Sequence, residues 1–342
     1  MNIQLLGYRK YYKALIWNRV CNYNKGVIKN RIFGVGGWPV DTSNTFGQHE
    51  LVLPRVSISI NVPDTTSYKL LSSHSSSADP MANCALNVQV LQASVDPDDE
   101  SHFRILVGGK FIKYLTVDTG LYSLDDMCFA PSLILLLSPL PPGDWNVGHI
   151  SKDPTYGRPY FATATKIPLR KITHIWHPSQ IDHIELKMGQ KLRSNVYETT
   201  CPRFNSTIVA KFARFSWEIP SLDSETAAYE WVNGHQIGPE FLGHLIEEGR
   251  VIGLLMEGVL NCRHAMPEDL PLCQHALTKL HKLGIKHGDI NKHNFLIRNG
   301  EAILIDFDFA ERCDNPKLLA EEFQMLEPQL WDDSGRGGSI MS

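Results

Sequence analysis

Runs of apolar residues that alternate with polar ones predict short β-strands over much of the chain. Residues 103–107 and 110–115 are two such runs, and Gly108-Gly109 lies between them. Two adjacent glycines favour a tight hairpin turn because they adopt left-handed backbone conformations without steric cost. Residues 241–246 and 251–256 repeat the pattern around a glycine-containing turn, which predicts a second hairpin.

A third hairpin is predicted in the last quarter of the chain. Its strands are the apolar runs 295–297 and 303–305, and the turn at 298–301 contains Asn299-Gly300. Asn-Gly between two β-favouring runs is a strong hairpin signal, since both residues accept positive φ angles. Strands are also predicted at 184–187, 196–200 and 207–214, with a turn at 191–195 between the first two.

Helical periodicity appears in three later segments. Leucines recur on one face of residues 267–283, and Gly284 provides a C-terminal stop. Residues 225–232 predict a shorter helix with Ser224 as its N-cap. Residues 318–326 predict a closing helix. Strands and helices are therefore both expected in the later part of the chain.

Composition and charge narrow the functional classes. The chain has 342 residues, a net charge of -4 and a hydrophobic fraction of 43%, values typical of a globular protein of one or two domains. This charge gives no reason to expect nucleic acid or an anionic membrane as a partner. The seven cysteines form no Cys-x-x-Cys pair, so reduced thiols and a cytoplasmic location are expected.

Changes of composition along the chain predict its domain organisation. Residues 1–40 contain seven Lys or Arg and no acid; a mitochondrial presequence is one interpretation and a disordered leader is the favoured one. Residues 41–80 have the Ser-, Thr- and Pro-rich composition of a linker, and Met81 is a candidate first residue of the folded protein. The expected parts are a leader and linker at 1–80, a small β-rich extension at 81–150, a connector at 151–180, a folded domain at 181–333 and a tail at 334–342.

The strongest chemical signal lies around the third hairpin. The sequence from His287 through Asp289 to Asn294 precedes its first strand, and Asp306 follows its second. Because the two strands of a hairpin are antiparallel, these polar residues meet at one end of the ribbon. One carboxylate there can accept a proton from a hydroxyl group. The other carboxylate and the amide oxygen of Asn294 are ligands that Mg²⁺ accepts.

The pattern His-Gly-Asp289 with Asn294, followed by Ile-Asp306-Phe-Asp, resembles the protein-kinase-like superfamily. His-Gly-Asp in place of His-Arg-Asp is similar to a small, atypical branch that includes aminoglycoside, choline and RIO-type kinases. Together with the segment 140–145, the pattern is also similar to kinase-like proteins of fungi. The resemblance implies the α+β fold class and a two-lobe fold, with a small lobe at 181–258. Since 36 residues follow Asp306, the C-terminal lobe at 259–333 is expected to be reduced.

The resemblance also implies roles for residues of the small lobe. Lys211 ends a Val-Ala-Lys sequence that resembles the superfamily's Val-Ala-Ile-Lys, whose lysine contacts the α- and β-phosphates of ATP. Glu225 would hold Lys211 by an ion pair. Glu257 and Val259 would lie at the hinge that meets the adenine ring. A solvent-facing lysine on an edge strand is the alternative interpretation of Lys211.

The expected phosphate-binding turn departs from the superfamily. Protein kinases carry a Gly-x-Gly-x-x-Gly loop, whereas Gly189 is the glycine nearest to this turn. Ser194 and Asn195 still offer backbone donors in a tight turn, and either Arg193 or Lys191 offers positive charge to a phosphate. The departure leaves the strength of nucleotide binding open.

These residues predict an ATP- and Mg²⁺-dependent phosphotransferase. The resemblance implies that Asp289 accepts the proton of an acceptor hydroxyl, Lys211 orients phosphates, and Asn294 and Asp306 bind Mg²⁺. The short C-terminal part favours a small-molecule or restricted protein acceptor. The altered turn keeps one alternative open, a pseudokinase that binds a nucleotide or a protein without turnover.

Overall fold

The structure, a computed structural model, describes residues 87–334. The leader and linker predicted at 1–80, the candidate start at Met81 and residues 335–342 of the predicted tail lie outside the described residues. Within the described part, a first sheet ends at residue 165 and a larger assembly begins at residue 180. The described chain is a mixed α/β protein with several sheets and few helices, which is compatible with a kinase-like fold.

The first sheet has five strands that are neighbours in chain order. Its elements are β1 (Val88–Ser94), β2 (Ser101–Val107), β3 (Phe111–Val117), α1 (Leu124–Met127), α2 (Ala130–Leu136), β4 (Val147–Lys152) and β5 (Pro159–Thr165). Strands β3 and β4 run parallel, and the connection between them contains α1 and α2. Met127 and Leu133 of these helices pack with Phe103 and Ile105 of β2 in one buried cluster.

The hairpin predicted around the two glycines is confirmed. Strands β2 and β3 pair antiparallel, and Gly108 and Gly109 have φ angles of 62° and 67°. The connector predicted at 151–180 is wrong in part, because it contains β5, which pairs with β4. The side chains of β5 are half-buried or exposed, so this edge strand lacks the apolar pattern by which a strand is recognised.

The second sheet has six strands in the order β6-β10-β11-β9-β8-β7. Its strands are β6 (Gln180–Asp182), β7 (Lys187–Arg193), β8 (Val196–Thr200), β9 (Ile208–Phe212), β10 (Phe241–Glu247) and β11 (Arg250–Glu257). The helix α3 (Ile219–Val232) connects β9 to β10. The hairpin predicted at 241–256 is confirmed as β10 and β11, which pair antiparallel.

Two local predictions in this region are wrong. The strand predicted at 184–187 is largely a 3-10 turn, His183–Glu185, because Asp182 caps its backbone, and β7 begins at Lys187. The helix α3 begins six residues before its predicted start, with a proline in its first turn, a position that proline favours. Ser224 is therefore not an N-cap; its hydroxyl donates to the carbonyl of Pro220 at 3.2 Å.

The remaining elements surround the third predicted hairpin. They are β12 (Arg263–His264), α4 (Leu270–Lys282), β13 (Ile285–Lys286), β14 (Phe295–Arg298), β15 (Glu301–Leu304), β16 (Glu311–Arg312) and α5 (Pro316–Trp331). The hairpin is confirmed as β14 and β15, and Asn299 and Gly300 in its turn have φ angles of 53° and 78°. The closing helix α5 is longer at both ends than predicted. No helix among residues 87–334 is long and apolar enough to cross a membrane.

The core of this part lies beneath the third hairpin. Leu277 and Leu280 of α4, Phe295 and Leu304 of the hairpin, and Leu326 of α5 are all fully buried in one cluster. Burial of a large apolar side chain stabilises a fold by roughly 1.5–3 kcal/mol. The packed hairpin therefore holds the residues at its open end, just before β14 and just after β15, in fixed positions.

Candidate active site

Lys211 lies on an interior strand of the six-stranded sheet. On β9 it is paired with Val196 of β8 and with Leu254 of β11. Its side chain is 7% exposed, and its Nζ lies 2.7 Å from Oε2 of Glu225. Nζ also donates to Oδ1 of Asp306. The alternative of a solvent-facing lysine on an edge strand is therefore wrong, and the predicted ion pair is present.

Glu225 lies on the buried face of helix α3. Leu222, Glu225, Tyr229 and Val232 follow one another at helical spacing and are all buried. Burial alone lowers the pKa of Lys211, but the charges of the two carboxylates outweigh burial and raise it. Burial raises the pKa of Glu225 to about 7 against the opposing effect of Lys211.

Asp306 follows β15 in the left-handed region, with φ 68° and ψ 63°. Few non-glycine residues adopt this conformation, and aspartate is among those that tolerate it best. The conformation turns its carboxylate toward Lys211 on the second sheet. Burial raises the pKa of Asp306, but the nearby charges of Lys211 and Arg193 outweigh burial and lower it. Asp306 is therefore held as an anion between two cations.

Two amide side chains orient Asp289. Nδ2 of Asn291 donates to Oδ1 of Asp289 at 2.9 Å, and Nδ2 of Asn294 donates to Oδ2 at the same distance. Asn294 also donates to the backbone carbonyl of Asp289. Both amides are buried, so the carboxylate plane has little freedom to rotate. Asn291 thus orients Asp289 together with Asn294.

His287 supports the same loop from the interior. It is fully buried, its Nδ1 accepts from the backbone N–H of Asp289 at 3.3 Å, and its Nε2 lies 3.1 Å from the carbonyl of Ile305. One nitrogen that accepts and one that donates describe a neutral imidazole. Burial lowers the pKa of His287, which agrees with the neutral form. The ring links the Asp289 loop to the strand that precedes Asp306.

Glu322 on α5 is a site residue that the sequence analysis missed. Its carboxylate accepts from the backbone N–H groups of His287 at 3.1 Å and Gly288 at 2.7 Å, and it pairs with Nε2 of His281 at 2.7 Å. Burial raises the pKa of Glu322, but these hydrogen bonds outweigh it and lower the pKa. One signal was available, since Glu322 lies in register with buried Leu326 and Leu330.

Arg193, for which a phosphate contact is predicted, contacts groups of the protein itself in the structure. It ends β7, and its Nη1 lies 2.6 Å from Oδ2 of Asp306. The same guanidinium donates to the carbonyl of His293 at 3.1 Å and lies 3.4 Å from Oδ1 of Asn294. Ser194 and Asn195 form the two-residue turn that follows. Arg193 therefore contacts the two residues that were predicted to bind Mg²⁺.

Asp306 and Asn294 already hold one positive charge between them, that of Arg193. Oδ2 of Asp306 and Oδ1 of Asn294 both face a single cationic atom, Nη1 of Arg193. A carboxylate oxygen and an amide oxygen that converge on one positive charge form a suitable donor set for a hard cation such as Mg²⁺. The pair of side chains thus fits a metal ion once the guanidinium moves away.

The predicted hinge residues lie at the end of β11. Glu257 is the last residue of this strand, pairs with Ile208 and donates its N–H to the carbonyl of Glu240 at 2.9 Å. Val259 follows two residues later, and its carbonyl accepts from the thiol of Cys262. A Cβ on the intervening Gly258 would lie 2.7 Å from a backbone oxygen of Thr207, so the hinge passes close to the start of β9.

Asp308 adds a second link between the hairpin and α3. Its Oδ2 accepts from the hydroxyl of Ser221 at 3.0 Å. Ser221 lies one helical turn before Glu225 on α3. Asp306 therefore contacts Lys211 directly, and Asp308 contacts the helix that carries Glu225. Burial raises the pKa of Asp308. The ion pair, the Asp289 loop and the end of the third hairpin therefore form one continuous cluster.

Comparisons with known proteins find one family model and two curated relatives that match short segments of the chain. A sequence model of the Lipopolysaccharide kinase (Kdo/WaaP) family matches residues 272–330. A probable bifunctional tRNA threonylcarbamoyladenosine biosynthesis protein of Methanoculleus marisnigri is 43% identical over 65 residues, which are 18% of this chain and 12% of that protein. The KEOPS complex subunit Bud32 of Pyrococcus abyssi is 34% identical over 65 residues, 18% of this chain and 30% of its own length.

The similarity to these proteins is local. The chain spans less than a third of the length of these two curated relatives. The family match nevertheless includes Asp289, Asn294, Asp306 and Glu322. The matched segment and these two relatives together indicate a protein of the protein-kinase-like superfamily.

Proposed function

We propose that this protein is an ATP- and Mg²⁺-dependent phosphotransferase. One observation carries the proposal: the side chain of Asn294 donates to Asp289 with its nitrogen and directs its oxygen to the cation beside Asp306. A single amide thus joins a candidate proton acceptor to a candidate metal site, which is the arrangement that phosphoryl transfer requires.

In the proposed reaction the oxygen of an acceptor hydroxyl attacks the γ-phosphorus of ATP. The bond from the γ-phosphorus to the bridging oxygen breaks, ADP leaves, and the hydroxyl proton passes to a carboxylate oxygen of Asp289. Lys211, held by Glu225, neutralises and orients the α- and β-phosphates. Asn294 and Asp306 would hold Mg²⁺, which neutralises charge on the phosphates when bound. A positioned proton acceptor of this kind contributes roughly 10²–10⁴-fold to a rate.

We assign the nucleotide to the space between the two halves of the assembly. Residues 181–258 would form the small lobe, with adenine at Glu257 and Val259, and residues 259–333 the reduced large lobe. Ser194 and Asn195 would offer backbone donors to phosphates from the tip of the β7–β8 hairpin. Arg193 would leave Asp306 and contact a phosphate when the nucleotide and metal bind.

A cleft beside Asp289 supports an acceptor of small size. It has a volume of about 400 Å³ and is lined by Asp289 and by Leu318, Glu321 and Met325 of α5. This volume lies within the range of small-molecule sites, roughly 300–1,000 Å³. We propose that the acceptor hydroxyl enters here, either on a small molecule or on a narrow segment of a protein.

A second candidate function is a nucleotide-binding or interaction module without turnover. The position of Arg193 favours it, because the guanidinium already neutralises Asp306 where a metal would bind. The two functions differ in one property. In an enzyme, Mg²⁺ must replace the guanidinium of Arg193 beside Asp306, whereas a module without turnover can keep the Arg193–Asp306 contact.

A thermal-shift experiment tests the proposal. The protein is heated alone, with ATP, and with ATP and Mg²⁺, with GTP as a control for the base. The proposal expects a rise in melting temperature that requires both ATP and Mg²⁺, because ligands that bind the folded state stabilise it. A screen of hydroxyl-bearing acceptors for ADP release then follows. No shift with any nucleotide would contradict the proposal.

A further inference from the structure

Strand β2 of the first sheet contacts the segment that joins Lys211 to Glu225. The ring of His102 lies edge-on to the ring of Trp217, with centroids 4.9 Å apart, and 6.3 Å from the ring of Phe215. Phe215 and Trp217 are themselves stacked at 4.7 Å. His102 therefore rests on an aromatic pair in the turn directly before α3.

This turn connects the two members of the ion pair. Lys211 lies on β9, Glu225 lies on α3, and the residues between them form one short stretch of chain. The turn is internally rigid: the carboxylate of Glu218 accepts from the backbone N–H of Arg214 at 2.7 Å and also pairs with its guanidinium. A shift of the aromatic pair would thus move the start of α3, and Glu225 with it.

Arg104, two residues after His102 on the same strand, attaches β2 to the second sheet. Arg104 is 2% exposed, and its Nε donates to Oε2 of Glu247 at 2.8 Å. Tyr114 on β3 donates to Oε1 of Glu247 at 2.7 Å. The guanidinium of Arg104 also lies 5.7 Å from the ring centroid of Phe212, the residue after Lys211. Contacts from β2 thus reach both strand β9 and the turn before α3.

We propose that β2 of the first sheet positions the Lys211–Glu225 ion pair, with His102 and Arg104 as positioning residues. The first sheet is then a functional part of the kinase-like assembly and not a separate attachment. The proposed consequence for catalysis rests on the proposed function, whereas the effect on α3 does not. Loss of the His102 contact frees the start of α3 and weakens the hold of Glu225 on Lys211.

Hydrogen exchange of the full-length, nucleotide-free protein tests the structural part. The variant is His102→Ala, and His149→Ala is the matched control, since His149 is on the same sheet and pairs with Asp118 instead. An aromatic contact is worth about 0.5–1.5 kcal/mol, so amides of α3 should exchange roughly 2- to 10-fold faster in His102→Ala. The control should leave exchange in α3 unchanged. Unchanged exchange in α3 of His102→Ala, or an equal rise in both variants, would overturn the proposal.

Variants on the other side of the contact give a second, independent test. Trp217→Ala should accelerate exchange in α3, and Trp217→Phe should restore slow exchange because it keeps a ring beside His102. Equal effects of the two would overturn the proposal. If the protein binds ATP, affinity should fall about 2- to 10-fold in His102→Ala and Trp217→Ala. If the parent protein does not bind ATP, the proposed function fails, and the exchange data still decide the role of β2.

Discussion

Asn294 holds the carboxylate of Asp289 at 2.9 Å while its amide oxygen faces the guanidinium of Arg193. A flip of the buried amide would turn its oxygen toward the carboxylate of Asp289 and its nitrogen toward the guanidinium of Arg193, so both contacts would be lost together. The orientation of the proposed proton acceptor is therefore tied to the state of the proposed metal site.

Removal of Arg193 should strengthen metal binding in the absence of nucleotide. In Arg193→Ala the carboxylate of Asp306 loses a charge-assisted hydrogen bond, and such bonds contribute about 1.5–3 kcal/mol. Calorimetric titration with Mg²⁺ alone should show affinity roughly tenfold or more above that of the parent protein. Arg203→Ala is the control, because Arg203 pairs with Glu185 on the surface. Equal affinity in Arg193→Ala and the parent would show that the guanidinium does not compete with a metal.

Neutralisation of Glu322 should loosen the Asp289 loop. Glu322→Gln keeps the shape of the side chain but replaces the anion that accepts from two backbone N–H groups and pairs with His281. We expect a loss of about 1–3 kcal/mol of unfolding free energy, measured by urea denaturation, and faster amide exchange at 287–289. Glu321→Gln is the matched control, since Glu321 is exposed. Equal stability of the two variants would contradict the role assigned to Glu322.

Gly288 should tolerate no side chain. Its φ is 82°, and a Cβ would lie 2.4 Å from the carbonyl oxygen of Phe309. Gly300 has a similar φ of 78°, but a Cβ there meets no atom within 4 Å. Gly300→Ala should cost about 1–2 kcal/mol from the backbone conformation alone. Gly288→Ala should cost roughly 1–3 kcal/mol more, from the added overlap. Similar melting temperatures for the two variants would contradict the close packing at Gly288.

Acid should weaken the attachment of the first sheet through Glu247. Burial alone raises the pKa of Glu247, but Arg104 and Arg250 outweigh it and lower the pKa from 4.5 to about 2. The stabilisation is therefore complete above the pKa that Glu247 has in the unfolded chain, and it is lost as pH falls from about 4.5 to about 2. The shift in pKa corresponds to roughly 3 kcal/mol of unfolding free energy. In Glu247→Gln the unfolding free energy should be lower at neutral pH and should change less over this range. An identical pH profile for the parent and Glu247→Gln would contradict the account.

The sequence alone predicts those parts of the fold whose signals are local. The three hairpins follow from glycine-containing turns between apolar runs, and the ion pair of Lys211 with Glu225 follows from the resemblance to the protein-kinase-like superfamily. Strand β5 was missed because an exposed edge strand needs no apolar side chains. The early start of α3 was missed because Ser224 offers a stronger capping signal than Pro220.

Contacts between distant segments could not be predicted in the same way. Arg193 lies 113 residues before Asp306 in the chain, and nothing in the sequence near Arg193 indicates which acid it meets. The function of Glu322 likewise depends on where α5 packs against the Asp289 loop. Such long-range polar contacts depend on the completed fold.

The central claim is that Asp289 and Asp306 perform different tasks, and calorimetric measurement of ATP affinity at several Mg²⁺ concentrations tests it most directly. The parent protein, Asp289→Asn and Asp306→Asn are compared. Asp289→Asn should bind ATP and Mg²⁺ as the parent does while its turnover falls about 10²–10⁴-fold. Asp306→Asn should lose the Mg²⁺-dependent part of the affinity, because a hard cation prefers an anionic oxygen. Equal affinities in all three proteins, without any dependence on Mg²⁺, would contradict the account.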